Sequence, residues 1–380
     1  MSIVHNVGSS EIRLMALECA RRDGMNLAIG IGEKLPPSQF LDAAHVAVSQ
    51  DYNGYAPVRG LEELRRQIGI QLSRFTDIVY NHETEIAITS GATGAFYSAC
   101  VALLRSGDEV VMFAPYYPYH RSTLLSLGVK PCQVVLRTGS WTFQERELRA
   151  AIHDRTRAIV INTPANPCGK VFTREELELI YGIARDANLW IITDEVYQHF
   201  VFGSARHVSP ASLPGARDHT ITIGSLSKTF SVTGWRLGFV AASKGVLDKI
   251  ADVHDMVYAC APSPLQRAAA IGMSGMSDDF YSGLGQRCEA KRDRLCAALV
   301  EARLSPFVPS GGFYVMADIG RIAGMNCREK VMNLLSETSI AVVSGASFYD
   351  SLEDSSLVRA CFAIEDDILE RACTALIGMK

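Results

Sequence analysis

TITIGSLSKTFSVTGWRLG, residues Thr220 to Gly238, reads as a buried strand (Thr220–Ile223) that ends in a small-residue turn at Gly224. Ser225 and Lys228 sit on that turn, and Arg236 follows eight residues after the lysine. A lysine just past an apolar strand lies where open α/β sheets bind ligands. A lone lysine beside a loop is otherwise an ordinary surface residue. Three lysine chemistries compete for the stretch. A phosphate-cradling loop needs glycine before the lysine, and Ser227 stands there. The S-x-x-K spacing of Ser225 and Lys228 fits an acyl-transferring serine, but the S-D-N and K-T-G companions of that motif are absent. The third is a Schiff-base lysine, which needs partners elsewhere in the chain.

The whole chain sets the frame for those partners. Its 380 residues suffice for two domains and a large core. A composition of 48% hydrophobic and 21% charged residues is that of a soluble globular protein. The net charge of −4 gives no sign of a nucleic-acid or membrane partner. The ten cysteines include no C-x-x-C pair and no zinc spacing, so they read as thiols of a reducing, cytoplasmic compartment, with no metal expected. No apolar run reaches the ~18 residues of a membrane span. The N-terminus lacks the basic and apolar regions of a secretory signal, and the amphipathic helix expected from Ser9 to Asp23 carries acids that a transit peptide would lack.

The central part alternates apolar strands with helices. Strands are expected at Glu85–Thr89, Glu109–Phe113, Ala158–Ile161, Leu189–Thr193, Thr220–Ile223 and Leu237–Ala241. One helix, Thr173–Ala187, opens with a Thr173/Glu176 capping box and buries Leu177, Ile180 and Ala184. Such a pattern implies a largely parallel sheet covered on both faces, an α/β fold. The residues just past each strand end carry the chemistry. SGATG (Ser90–Gly94) opens a helix; Pro115-Tyr116-Tyr117, then NTPANP (Asn162–Pro167), then Asp194-Glu195-Val196-Tyr197, then Ser225 and Lys228 come after the others. Parallel strands would gather all of these along one edge.

Together these groups fit pyridoxal phosphate. Gly91, Ala92 and Thr93 at a helix start let backbone N–H groups approach a phosphate, which the helix dipole favours. Asp194 would pair with a protonated pyridine nitrogen and keep the ring an electron sink. Taken alone, the glycines could be a plain helix cap and Asp194 a capping residue. Tyr197 and Asn166 could hydrogen-bond the ring oxygen, and Tyr117 could stack on the ring face. Arg236 and Ser225 would add charge-assisted bonds to the phosphate.

With these motifs in place, the chain resembles the fold-type I, class I/II pyridoxal-phosphate aminotransferases over nearly its whole length. TITIGSLSKTFSVTGWRLG resembles the family's lysine segment, and SGATGA, INTPANPCGKVF and DEVY match its other blocks in order. NTPANPCGKVFTREELELI and SLPGARDHTITIGSLSKTFSVTGW look most like the kynurenine and glutamine transaminases. The resemblance implies a mostly parallel seven-stranded sheet flanked by helices, plus a smaller α/β domain. It divides the chain into an arm with part of the small domain (1–44), a cofactor-binding domain (45–275) and a C-terminal domain (276–380). It makes Lys228 the Schiff-base lysine and proton shuttle, with Asp194 and Tyr197 as catalytic partners. Arg359 in LVRACFAI matches the arginine that grips the substrate α-carboxylate, where a planar guanidinium suits a bidentate acid. From its own surroundings Arg359 reads only as an edge-strand surface residue. Gly30 and Asn166 would stand beside the same carboxylate. Tyr55 in YAPVRGL matches a tyrosine that reaches the cofactor phosphate of the neighbouring subunit, which implies a homodimer with shared sites.

Two positions depart from the family. Its usual G-x-P-D-F reads Gly30 to Leu35 as GIGEKL here, in a loop near the substrate, and Cys168 stands where threonine is common. One long helical stretch is expected from about Pro264 to Arg303, strands at Gly311–Val315 and Ser339–Val343, and a terminal helix at Glu365–Ile377. The implied reaction transfers an amino group from an L-amino acid to a 2-oxo acid by a ping-pong route. No second arginine is identifiable for an acidic side chain, which favours large neutral or aromatic donors. The same machinery also serves C–S β-lyases and β-replacing or cyclising enzymes. An acyl-serine hydrolase and the ligand-sensing domain of a transcription regulator are more distant readings; the latter would need a DNA-binding domain and a basic patch.

Overall fold

A computed structural model describes residues 11–32, 35–50, 52–350 and 356–379. Its large sheet has seven strands. From one edge they are Ile86–Ser90, Leu237–Ala241, Thr220–Ser225, Trp190–Asp194, Thr156–Asn162, Glu109–Ala114 and Lys130–Val135. Only Leu237–Ala241 runs against the rest. Six strands therefore end on one edge of the sheet, and the reversed strand begins there. Arg236, just before Leu237, is delivered to that edge by the reversal.

Both faces of the sheet are covered. Side chains alternate along a strand, and here both sets are buried. Val110, Met112 and Val160 join one core cluster, while Val111, Phe113, Ile159 and Ile161 join another. Ala95, Phe96 and Ala99 of helix Gly91–Leu103 pack into the first. Leu177, Ile180 and Ala184 of helix Arg174–Asp186 pack into the second. That helix starts with the expected capping box: Thr173 Oγ1 accepts from Glu176 N at 3.2 Å, and Glu176 Oε2 accepts from Thr173 N at 2.9 Å.

Several expectations are corrected. Lys130–Val135 is a strand that the hydropathy pattern hides, because it lies at the edge, largely accessible, with Pro131 in a position only edge strands tolerate. Gly224 is not in a turn but inside strand Thr220–Ser225, paired with Phe239. A Cβ there would lie 2.2 Å from the Phe239 ring, so close approach, not a bend, demands glycine. The long helical stretch is two helices, Ser263–Ser274 and Asp278–Glu301. Gly275 ends the first, and the acids Asp278 and Asp279 suit the start of the second. The first helix is Glu11–Arg21; its expected start at Ser9 lies outside the described residues.

A second, antiparallel sheet orders Val343–Ser344, Leu357–Cys361, Tyr314–Asp318 and Ser305–Phe307. Leu357–Cys361 is an inner strand with every residue buried, so Arg359 is neither at an edge nor on the surface. The strand expected from Gly311 starts at Tyr314. Met25–Asn26 pairs in parallel with Ile340–Ala341, tying the N-terminal segment to the C-terminal part of the chain. Among the described residues no helix is long and apolar enough to cross a membrane.

Gly238 fixes how the reversed strand meets helix Gly91–Leu103. A Cβ on it would sit 2.4 Å from the Gly91 carbonyl carbon and 2.5 Å from Ala92 N. Backbone cannot yield as a side chain can. Gly238→Ala is expected to cost about 1–3 kcal/mol, read as a lower denaturant midpoint at unchanged slope.

Candidate active site

A cavity of about 660 Å3 opens where the six strands end. Lys228 enters it from a four-residue helix, Leu226–Thr229. Ser225 caps that helix, its Oγ accepting from Ser227 N at 3.1 Å. Lys228 Nζ donates to the Gly30 carbonyl at 2.7 Å. Burial, with the charges of Arg359 and Arg236 acting in the same sense, lowers its pKa from the ordinary 10.5 to about 8.

That shift has a sign and a size. Below pH 8 both the folded and unfolded chains carry the proton, so the folded state bears the full cost of the enclosed charge. Between pH 8 and 10.5 the folded state releases it first and the cost fades. The cost is at most about 3 kcal/mol, less to the extent that water enters the cavity. Lys228→Met is expected to raise the Tm of the cofactor-free protein at pH 7, and to raise it less at pH 10.

Asp194 ends the strand Trp190–Asp194 and is buried. Its Oδ2 lies 2.9 Å from His120 Nε2, and its Oδ1 accepts from Val196 N at 3.3 Å. His120 comes from helix Pro118–Ser126. Its ring leans on Phe96 with centroids 4.4 Å apart and meets Tyr117 edge-on at 5.3 Å. Sequence reasoning passed over His120. The available signal was its place three residues after Tyr117, in the first turn of the helix that follows the strand Glu109–Ala114. Tyr117 itself lines the cavity as expected.

The loop after Thr156–Asn162 is braced from behind. Asn162 Nδ2 donates to the Asp194 carbonyl at 3.0 Å, and Asn162 Oδ1 accepts from Asn166 N at 2.7 Å. Asn166 Oδ1 then accepts from Arg359 Nη1 at 2.9 Å, and Arg359 Nη2 donates to the Ala28 carbonyl. The Arg359 guanidinium lies 4.1 Å from the Tyr314 ring centroid and 5.1 Å from that of Phe348. Arg359 is 1% exposed, and its Nε has no partner among the described residues. Tyr197 and Tyr314 share a hydrogen bond, and burial raises the pKa of both. Tyr314 is the second residue that sequence reasoning missed; in GGFYV it looks like one more core aromatic.

At the other end of the cavity lies an anion cradle. Ala92 and Thr93 lie on its wall at the start of the 13-residue helix Gly91–Leu103. Gly91 has φ +70°, and a Cβ there would fall 2.4 Å from Arg236 Nη2. Thus Gly91 underlies the arginine and does not itself line the cavity. Arg236 adopts φ 54°, its Nη1 donating to the Thr233 carbonyl at 3.0 Å. Ser225 Oγ donates to the Leu237 carbonyl at 3.3 Å. Ser227 Oγ, buried and on the cavity wall, has no partner among the described residues. Helix N–H groups, a guanidinium and an unpartnered hydroxyl suit a phosphate. With Asp194 and Lys228 on the same cavity wall, these residues fit pyridoxal phosphate. Gly91→Ala is expected to strain the left-handed backbone by about 1–2 kcal/mol and displace Arg236, so the purified variant should retain roughly tenfold less cofactor or lower still.

Gly30 lies between Lys228 and Tyr314; a Cβ on it would sit 2.5 Å from the Tyr314 hydroxyl. Glu33 and Lys34, the middle of the GIGEKL departure, lie outside the described residues. Tyr55 is 90% exposed and does not line the cavity of its own chain. Arg13, on an exposed face of helix Glu11–Arg21, does line it beside Ile12 and Ile31, a cation that the sequence did not place there.

A doubly covered α/β sheet with a lysine, a carboxylate and an anion cradle at its switch edge defines a pyridoxal-phosphate enzyme of fold type I. The chain belongs to the class I and II aminotransferases, whose family model matches residues 22–376; the cofactor of that family is pyridoxal 5′-phosphate. It is 32% identical to kynurenine–oxoglutarate transaminase 3 of Mus musculus, covering 92% of this chain and 83% of that protein. The solved structure of N-succinyldiaminopimelate aminotransferase from Mycobacterium tuberculosis superposes with a TM-score of 0.95 at 31% identity, over 99% of both chains. An Escherichia coli protein with a methionine aminotransferase function gives a TM-score of 0.95 at 26% identity, over 100% of this chain and 99% of that one. The chain is an aminotransferase.

Proposed function

We propose that the enzyme moves the amino group of a large neutral or aromatic L-amino acid to a 2-oxo acid by a ping-pong route. The observation that carries this is the placing of Lys228, Asp194 and Arg359 on one cavity. Bound pyridoxal phosphate supplies an electron sink for the charge that develops at the substrate Cα. Asp194, held by His120 at 2.9 Å, faces the pyridine nitrogen. Tyr197 and Asn166 address the ring oxygen, and Tyr117 bounds the ring face. Ala92, Thr93, Ser225 and Arg236 hold the phosphate end, with Gly91 making room for the Arg236 guanidinium. Arg359 and Asn166, beside Gly30, hold the α-carboxylate and so orient the Cα–H bond. Lys228 anchors the cofactor and, with a pKa near the working range, takes and returns the Cα proton.

The substrate class rests on two supports. Ile12, Ile31 and Tyr119 offer apolar and aromatic surface on the cavity wall. Relatives named for kynurenine and for methionine accept donors of that kind. Arg13 on the same wall is the residue to substitute first if aspartate turns over strongly while every neutral donor fails, a result that would overturn this substrate class. The exposed Tyr55 supports a homodimer in which it reaches the neighbouring site. The chain is read as arm (1–44), cofactor domain (45–275) and C-terminal domain (276–380), working in the cytoplasm. The test is an initial-rate study with both substrates varied. Parallel double-reciprocal lines are expected; intersecting lines would rule out the ping-pong transfer.

A further inference from the structure

We infer that Tyr314 is a positioning residue that sets the carboxylate grip and the ring-oxygen phenol as one unit. The inference rests on the proposed transaminase function and adds a residue to it. Strand register supplies the geometry. Tyr314 pairs with Cys361 and Met316 with Arg359 in the antiparallel sheet, so Tyr314 and Arg359 are diagonal neighbours on one face. Diagonal neighbours are within reach of long and aromatic side chains. The Tyr314 ring accordingly lies 4.1 Å from the centre of the Arg359 guanidinium. An arginine gripping a carboxylate must present the edge of its plane, and a ring against its face fixes that plane.

The hydroxyl of the same residue performs a different task. It shares a hydrogen bond with Tyr197, and its oxygen accepts from the Gly30 N–H. Gly30 lacks the Cβ that would otherwise meet that oxygen at 2.5 Å. The Gly30 carbonyl, in turn, accepts from Lys228 at 2.7 Å. The contact raises the pKa of Tyr197 and lowers that of Tyr314, so the Tyr197 O–H donates and the Tyr314 oxygen, which also accepts from the Gly30 amide, receives it. The Tyr314 oxygen thereby fixes where the Tyr197 phenol stands on the cavity wall, and removing that oxygen leaves the phenol without its anchor. The ring thus serves Arg359 and the hydroxyl serves Tyr197. A merely structural aromatic would not separate these effects.

Two substitutions separate them. Tyr314→Phe keeps the ring and removes the hydroxyl. Tyr314→Leu removes both. The measurements are equilibrium binding of pyridoxal phosphate to the cofactor-free protein, the pKa of the lysine-linked cofactor band, and KM against kcat for the best amino donor. Tyr314→Phe is expected to weaken cofactor binding by about 3- to 10-fold and to move the band's pKa, with KM within about twofold of wild type. Tyr314→Leu is expected to add a rise in KM of about 3- to 30-fold. Equal losses in both variants, or a Tyr314→Phe enzyme with wild-type cofactor affinity and band pKa, would overturn the assignment. If wild type itself fails to bind pyridoxal phosphate, the transaminase function fails first, and the two failures remain distinct.

Discussion

Lys228→Ala is expected to lose at least about 10²–10⁴-fold in transamination, the range that a positioned proton-transfer group supplies alone. Losing the covalent anchor adds to this. The physical basis is that no other described amine reaches the same place. Lys228 is presented by a four-residue helix at the strand end, held against the Gly30 carbonyl, and depressed in pKa by its enclosure. Arg236 and Arg359 share the cavity wall, but guanidinium stays protonated and cannot act as a base at working pH. Single-turnover conversion of an amino acid, followed spectrally, checks it. Recovery of part of the rate by added small amines would show that the lost group is the proton carrier. Wild-type rates in the variant would remove Lys228 from the chemistry.

Arg359→Leu carries the next largest expected effect. Arg359 is buried on an inner strand, lies against the rings of Tyr314 and Phe348, and is directed by Asn166 and the Ala28 carbonyl. Two charge-assisted bonds to a carboxylate, at about 1.5–3 kcal/mol each, set the loss in kcat/KM at roughly 10²–10⁴-fold. Arg359→Lys should recover little, because an ammonium lacks the planar fork and the stacking face. Cofactor content should stay near wild type in both, since the partners of Arg359 are Asn166, the Ala28 carbonyl and the Tyr314 and Phe348 rings, none of them in the phosphate cradle. Loss of cofactor together with activity would place Arg359 in the cofactor's support instead.

The strand ends were the legible part of this chain. Apolar runs followed by SGATG, PYY, NTPANP, DEVY and SLSK point to one sheet edge, because parallel strands share a direction. Arg236 belongs there for a reason that a sequence does not display: its strand is reversed, so its start meets the others' ends. Arg359 was legible only by resemblance, since an arginine in an apolar strand declares neither its burial nor its partners. His120 and Tyr314 were hidden for the same reason, as their value lies in contacts with Asp194, Tyr197 and Arg359, which are distant in the chain. Gly224 was misread because the ring that excludes a Cβ belongs to the neighbouring strand. Lys130–Val135 escaped because an exposed edge strand keeps little hydrophobic pattern. Tyr55 faces solvent in this chain, and the role proposed for it requires a second chain.

The absorbance spectrum of the purified protein, repeated after adding amino acids without any oxo acid, tests the cofactor chemistry at its root. A visible band that Lys228→Ala alters is expected. A large neutral or aromatic amino acid should convert that band to the near-ultraviolet band of the aminated cofactor, and a 2-oxo acid should restore it. A visible band that persists while pyruvate accumulates would contradict transamination in favour of β-elimination. No visible band after reconstitution with pyridoxal phosphate would contradict the cofactor assignment itself.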